Sequence, residues 1–231
     1  MAPEDDPRQF SLFSHLDDAR ARRLHGHFSW HEFRRGKVLF QAGDPVRGFY
    51  LLGNGCVQVY RLSPHGQEQI LAFLRAGDPL GEWALFHTQI YPISALCVTS
   101  SRMAYIDRAV MDGLVRSDPE LACQLLTVVS GKLQRAMGLI EDLSLRDARG
   151  RICHYLCGHL EDGAHPGDSI ILPVSQAVVA RFLGLTSETF SRMLRQLKQE
   201  GVLTPGGRRR LVVHHPDRLR EVAGLLLTDR S

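Results

Sequence analysis

Glu188, Ser191, Arg192 and Arg195 lie at relative positions i, i+3, i+4 and i+7. Wound into an α-helix they share one face. The chemistry open to such a face is hydrogen bonding to base edges. An arginine guanidinium donates in bidentate fashion to guanine O6 and N7, and a glutamate carboxylate accepts from cytosine N4. Phosphate repels a carboxylate, so an acid set among arginines points to bases more than to the sugar–phosphate backbone. The alternative for Glu188 is compensation of the helix dipole at the second helical position. Further along, Arg208, Arg209 and Arg210 follow two glycines and have the donors that phosphates take without specifying sequence.

Holding that face in place requires two helices and a tight turn. Ser175 is placed to cap a helix over 176–183, Gly184 ends it with φ > 0, and Thr186 caps a second helix reaching to about Glu200. Val179, Leu183, Leu185, Phe190 and Met193 fall at inward positions, and Ala180 sits where the helices approach closely. This is helix-turn-helix spacing. Phe190, Met193, Leu194 and Leu197 form the buried stripe of the second helix, leaving the Glu188–Arg195 face outside. TPGGRRRLVV then reads as a hairpin wing.

Charge follows the same division. From Pro173 to Val213 there are seven basic residues and two acidic ones, a local +5 in a 231-residue chain of net +3. The remainder is slightly acidic, and a confined basic patch of this kind suits a polyanion. Five scattered cysteines form no disulfide framework and imply a reducing compartment. MAPEDDPRQF is acidic and polar, unlike a signal peptide, and no apolar run approaches a membrane span. A cytoplasmic protein is expected.

Upstream, Asp17 to Phe28 has a helical pattern. Residues 30–108 carry short alternating runs between Gly, Pro, Asn and Asp turns, the texture of an antiparallel sandwich or barrel. FYLLGNGCVQVYRL sets Val57 and Val59 against Tyr60 and Leu62, SPHG (63–66) makes a turn, and Ile70, Ala72 and Leu74 alternate with Leu71 and Phe73. Asp118-Pro119-Glu120 then starts a long helix. Along it Leu126, Val129, Leu133, Ala136, Ile140 and Leu143 recur at threes and fours, a narrow seam suited to pairing with a second helix. Leu125, Val128 and Leu139 supply another apolar face for its own domain. Gly131 and Gly138 weaken this helix by about 1 kcal/mol each, and close approach of the β zone would explain them.

GKVLFQAGDPVRGFYLLGNGCVQVY, GDPLGEWALF, the long helix and LSLRDARGRICHYL together resemble the Crp/Fnr superfamily of bacterial transcription regulators, over nearly the whole chain. The resemblance implies an α+β fold. An N-terminal antiparallel β-roll of the cyclic-nucleotide-binding kind occupies 1–117, a dimerisation helix and hinge 118–147, and a winged helix-turn-helix 148–231. It implies a homodimer on palindromic double-stranded DNA. E-x-x-S-R, here Glu188, Ser191 and Arg192, is similar to the Fnr, Dnr and FixK branches, which implies base reading by these three residues at TTGAT-N4-ATCAA. The catabolite-activator branch has Arg where Ser187 stands and lacks Ser191. Ser187, Thr189 and Arg195 flank the reading residues as candidate backbone contacts.

Gly81, Glu82 and Ser94 match the cyclic-nucleotide pocket of the family. Ile93 stands where that pocket has its phosphate-binding Arg, and Ala136 and Met137 stand where hydroxyls meet adenine, so cyclic AMP is not expected. Glu82 is then read as a retained turn residue. No cysteine precedes Cys56, so an Fnr-type iron–sulfur cluster is not expected either. Cys153 and Cys157, one turn apart near His154 and His159, have a spacing that could hold a metal, weighed against buried core thiols, and no metal site is assigned. Eleven histidines, with His15, His25, His27 and His31 near the β zone, leave haem open. A haem- or nucleotide-binding sensor with a different operator is the alternative function. Ala164, His165 and Gly167, in GAHPGD, lie where the catabolite activator touches RNA polymerase. No P-loop, G-x-S-x-G or paired-carboxylate cleft suggests an enzyme.

Overall fold

The computed structural model describes residues 5–82, 89–161, 163–207 and 209–225. The chain divides into two compact units, Met1–Gln134 and Arg135–Ser231. The fold is α+β.

In the first unit, α1 (Asp18–His25) is followed by eight strands: β1 (Ser29–Phe33), β2 (Val38–Phe40), β3 (Gly48–Asn54), β4 (Cys56–Leu62), β5 (Glu68–Arg75), β6 (Pro79–Leu80), β7 (Ser94–Cys97) and β8 (Ser101–Asp107). They form two antiparallel four-stranded sheets, ordered β1-β8-β3-β6 and β2-β7-β4-β5. The period-two alternation of the strands feeds two cores. Leu52 and Met103 face the inter-sheet core with Phe40, Val57, Val59 and Cys97. Their neighbours Phe49, Leu51, Ala104 and Ile106 face the opposite way, onto Phe10, Phe13, Leu24, Met111, Leu121 and Leu125. A strand covered on both faces must be apolar throughout, which accounts for the unbroken FYLL.

On β4, Val57 and Val59 are buried as the alternation predicts, but Tyr60 is also buried and Leu62 is exposed. A register shift between Val59 and Tyr60 against β5 leaves Leu71 as an extra, exposed residue. Ser63 and Gln67 close the intervening turn, with Gly66 at φ +75°.

α2 (Arg108–Ser117) leads into the 27-residue α3 (Pro119–Leu145), within which the division between the units falls. Asp118 Oδ1 caps α3, accepting from the N–H groups of Glu120 at 3.1 Å and Leu121 at 3.3 Å. Leu125 is buried as expected of the domain-facing stripe. Along the seam stripe Leu126, Val129, Leu133, Ala136, Ile140 and Leu143 are all solvent-exposed in the single chain. Gly138 departs from expectation: a Cβ there would meet nothing within 4 Å, so close approach does not explain it.

The second unit continues with α4 (Ala148–Cys157), β9 (Ser169–Ile171), α5 (Gln176–Phe182), α6 (Ser187–Gln199), β10 (Leu203–Pro205), β11 (Arg210–Val213) and α7 (Pro216–Val222). The three strands form one antiparallel sheet, β10-β11-β9. At the C-terminal end of α3, Asp142 is almost fully buried. It accepts from Arg146 Nε and pairs with His154 Nδ1, each at 2.6 Å, while Arg146 also donates to the Ala223 carbonyl. Burial pushes the Cys153 thiol up to about 12 and the Cys157 thiol to about 11, so neither is a thiolate at neutral pH. Iodoacetamide is therefore expected to label exposed Cys123 first and to spare Cys153 in the folded protein, read by peptide mass spectrometry. Equal labelling of the two would mean that α4 opens readily.

Candidate nucleic-acid interface

α5, the turn and α6 take the arrangement that the sequence predicts. Val179, Ala180, Leu183, Phe190, Leu194 and Leu197 are buried, with Leu185 and Met193 half-buried. Gly184 has φ +66°, and a Cβ there would press on Leu143 at 3.3 Å, so both backbone and space call for glycine. Arg151 donates to the Leu183 carbonyl at 2.9 Å, satisfying the end of α5. Thr186 Oγ1 accepts from the Thr189 N–H at 3.1 Å and starts α6. Ser175 occupies the cap position of α5, but its side chain makes no capping bond there, against expectation.

With the apolar stripe turned inward, Glu188, Ser191, Arg192 and Arg195 are exposed together on the outer face of α6, beside exposed Ser187 and half-buried Thr189. Glu188 is the second residue of the helix, where its charge also suits the dipole. Neither Glu188 nor Arg192 has an intramolecular hydrogen-bond or ion-pair partner among the described residues. Arg195 Nε is 3.4 Å from the Ser191 carbonyl, a long contact. The other acid of the basic segment, Glu200, is taken up by a bidentate pair with Arg149 at 2.8 and 2.5 Å. That pair holds the Glu200 carboxyl below the usual carboxylate range and ties the end of α6 to α4. The free charge of the helix is thus Arg192, Arg195 and Lys198 against Glu188 alone.

β10 and β11 form the wing hairpin, fastened where Thr204 Oγ1 meets His214 Nε2 at 2.8 Å. Arg209 and Arg210 are exposed on it, and Arg208 lies outside the described residues. Arg209 donates to the Pro173 carbonyl at 2.8 Å, which leaves most of its five N–H donors for a phosphate. The loop holding Ala164, His165 and Gly167 is an ordered turn: the His165 N–H donates to Asp168 and the Gly167 N–H to the Val213 carbonyl, both at 2.8 Å.

In the first unit, Glu82 and Ser94 are both buried. Gly81 has φ +92° against the ring of Tyr91. Ser94 Oγ accepts from the Ala42 N–H at 3.0 Å. Ile93 packs on the inter-sheet core. The fully buried carboxylate of Glu82 has the Lys132 ammonium 2.7 Å from Oε1, without hydrogen-bond alignment, and Lys132 also donates to the Pro79 carbonyl at 2.7 Å. The reading of Glu82 as a plain turn residue is thus incomplete. It is one half of a buried ion pair whose other half, a lysine 50 residues on, carried no local signal. The histidines expected near the β zone do not converge. The His15 side chain is buried beside Asp118, His27 and His31 are exposed, and no three His, Cys, Asp or Glu side chains gather among the described residues.

Residues 30–118 match the family model of the cyclic nucleotide-binding domain, and residues 150–222 that of the Crp-like helix-turn-helix domain. The fumarate and nitrate reduction regulatory protein of Vibrio cholerae is 29% identical over 195 residues, 83% of this chain and 77% of that protein. The anaerobic regulatory protein of Pasteurella multocida is 29% identical over 178 residues, 76% of this chain and 65% of that one. The structure of FixK2 from Bradyrhizobium japonicum superposes with a TM-score of 0.76 at 25% identity, covering 84% of this chain and 96% of that one. With an antiparallel roll, a long helix and a winged helix-turn-helix in this order, the chain belongs to the Crp/Fnr superfamily of DNA-binding transcription regulators.

Proposed function

We propose that the chain is an activator that binds as a homodimer to a TTGAT-N4-ATCAA-like palindrome and answers to low oxygen or nitric oxide. In this reading 1–117 senses, 118–147 pairs two copies, and 148–231 binds DNA. The observation that carries the operator is the outer face of α6, where exposed Glu188 and Arg192, one turn apart, have no partner among the described residues. Glu188, Ser191 and Arg192 read bases, and Ser187, Thr189, Arg195 and the wing arginines position the backbone. The exposed apolar stripe on α3 supports pairing. The names of the relatives, a fumarate and nitrate reduction regulatory protein and an anaerobic regulatory protein, support the signal. Ile93, with Glu82 and Ser94 engaged internally, speaks against cyclic AMP. The turn of Ala164, His165 and Gly167 is the proposed contact for RNA polymerase.

Fluorescence anisotropy on the palindrome tests the operator. Arg192→Ala is expected to cost about 1–3 kcal/mol per half-site and to relax the preference for guanine at one position. Arg209→Ala is expected to weaken all sequences alike and to reduce the salt slope by about one. Full affinity and full specificity in Arg192→Ala would remove base reading from that residue.

A further inference from the structure

We propose that the cavity between α1 and the α2–α3 junction is a binding site for a small amphipathic monocarboxylate, of the medium-chain fatty acid class. The cavity has a volume of about 270 Å³, just below the ~300–1,000 Å³ typical of ligand pockets, so it selects a small ligand. Its walls are two stripes brought face to face. Arg20, Arg23, Leu24 and His27 come from α1 and its end, at i, i+3, i+4 and i+7. Leu114, Asp118 and Leu121 come from the junction, and Phe13 and Leu16 close the floor.

The chemistry of these walls is amphipathic. Five apolar side chains line the hollow, which suits a hydrocarbon chain. Two guanidinium groups and an imidazole stand over it, against Asp118 in the lining and Asp17 beside it, which lies 3.7 Å from Arg20. The Asp118 carboxylate is already engaged, since Oδ1 caps α3 and Oδ2 lies 3.5 Å from Arg20. Arg23 and His27 have no ion-pair partner among the described residues. Arg23 thus stands unpaired at the edge of an apolar hollow, which favours an anion with a tail over a cation, a neutral alcohol or a bare inorganic anion. His15 adds an independent sign. Its side chain is only 5% exposed, Nε2 is 3.8 Å from Asp118 Oδ2, and neither ring nitrogen has a hydrogen-bond partner. A polar ring so buried is ordinarily satisfied, and an Asp118 released from Arg20 would be free to accept from it.

A ligand carboxylate on Arg23 and Arg20 would compete with Asp17 and Asp118 for Arg20. Asp118 caps α3, and Leu121 in the cavity wall belongs to the same helix. Occupancy is therefore linked to the first turn of the helix that bears the exposed apolar stripe, and by reciprocity the state of that helix sets the affinity of the site. This site does not depend on which operator α6 reads.

Isothermal titration calorimetry of the full chain tests the proposal, with octanoate as probe and 1-octanol and butyrate as comparisons. Octanoate is expected to bind at one site per chain, and octanol, lacking the charge, and butyrate, lacking the tail, at least about tenfold more weakly. Arg23→Gln, on the exposed face of α1, is expected to weaken octanoate at least about tenfold and to leave octanol unchanged. Leu114→Trp, which fills the hollow, is expected to abolish binding while the thermal midpoint confirms folding. Absence of octanoate binding, equal affinity for octanol, or octanoate binding undiminished in Arg23→Gln would overturn the assignment.

Discussion

Leu133→Asp is expected to convert the protein to monomers at micromolar concentration and to abolish high-affinity operator binding with them. Leu126, Leu133, Met137 and Ile140 are 61–67% exposed on α3, far more than large aliphatic side chains on a helix ordinarily remain. Burying one leucine contributes about 1.5–3 kcal/mol. In a two-fold dimer each substitution acts twice, so the change removes roughly 3–6 kcal/mol before the repulsion of facing carboxylates is added. That raises the dimer dissociation constant by about two to four orders of magnitude. Sedimentation equilibrium reads the mass directly. Leu62→Asp, at the exposed end of β4 (56% exposed), is the control and is expected to leave the mass unchanged. If Leu133→Asp sediments like the parent, the pairing surface is elsewhere.

Lys132→Met is expected to destabilise the β-roll unit by about 3 kcal/mol. The Glu82 side chain is fully buried, and among the described residues its counter-charge is the Lys132 ammonium. Breaking a buried pair from one side costs about 3–5 kcal/mol, because it strands a charge without water or partner. The Lys132 side chain is 22% exposed, which places the cost at the low end. Calorimetry should show the transition of this unit lowered by roughly 10 °C. Glu82→Gln combined with Lys132→Met removes both charges and is expected to recover most of the loss, since the stranded carboxylate and not the missing methylenes is the cause. An equal loss in the double variant would mean that the lysine stem contributes by packing alone.

How far these residues could be read from the chain depends on how far apart the partners lie. Gly184, Thr186 and the Phe190–Leu194–Leu197 stripe obey rules that span one to two helical turns, and the structure places each as read. The exposed apolar stripe on α3 is legible for the same reason. The failures are also local in kind. Ser175 sits at a cap position without capping, and Gly138 faces open space where close packing was anticipated. A register slip in β5, invisible to an alternation rule, buries Tyr60 and exposes Leu71.

The sequence by itself determined the order of roll, long helix and winged helix-turn-helix, and the identity of the α6 face, because periodicity fixes which side chains share a face and apolarity fixes which face turns inward. Only the tertiary structure decided that Lys132 engages Glu82, that Arg149 removes Glu200 from the basic surface, that Asp142 gathers Arg146 and His154, and that Arg20 and Arg23 overlook an apolar hollow. A charged side chain reads the same in sequence whether solvated or paired. What distinguishes the two is burial and a partner many residues away, and both come into being only when the chain closes on itself.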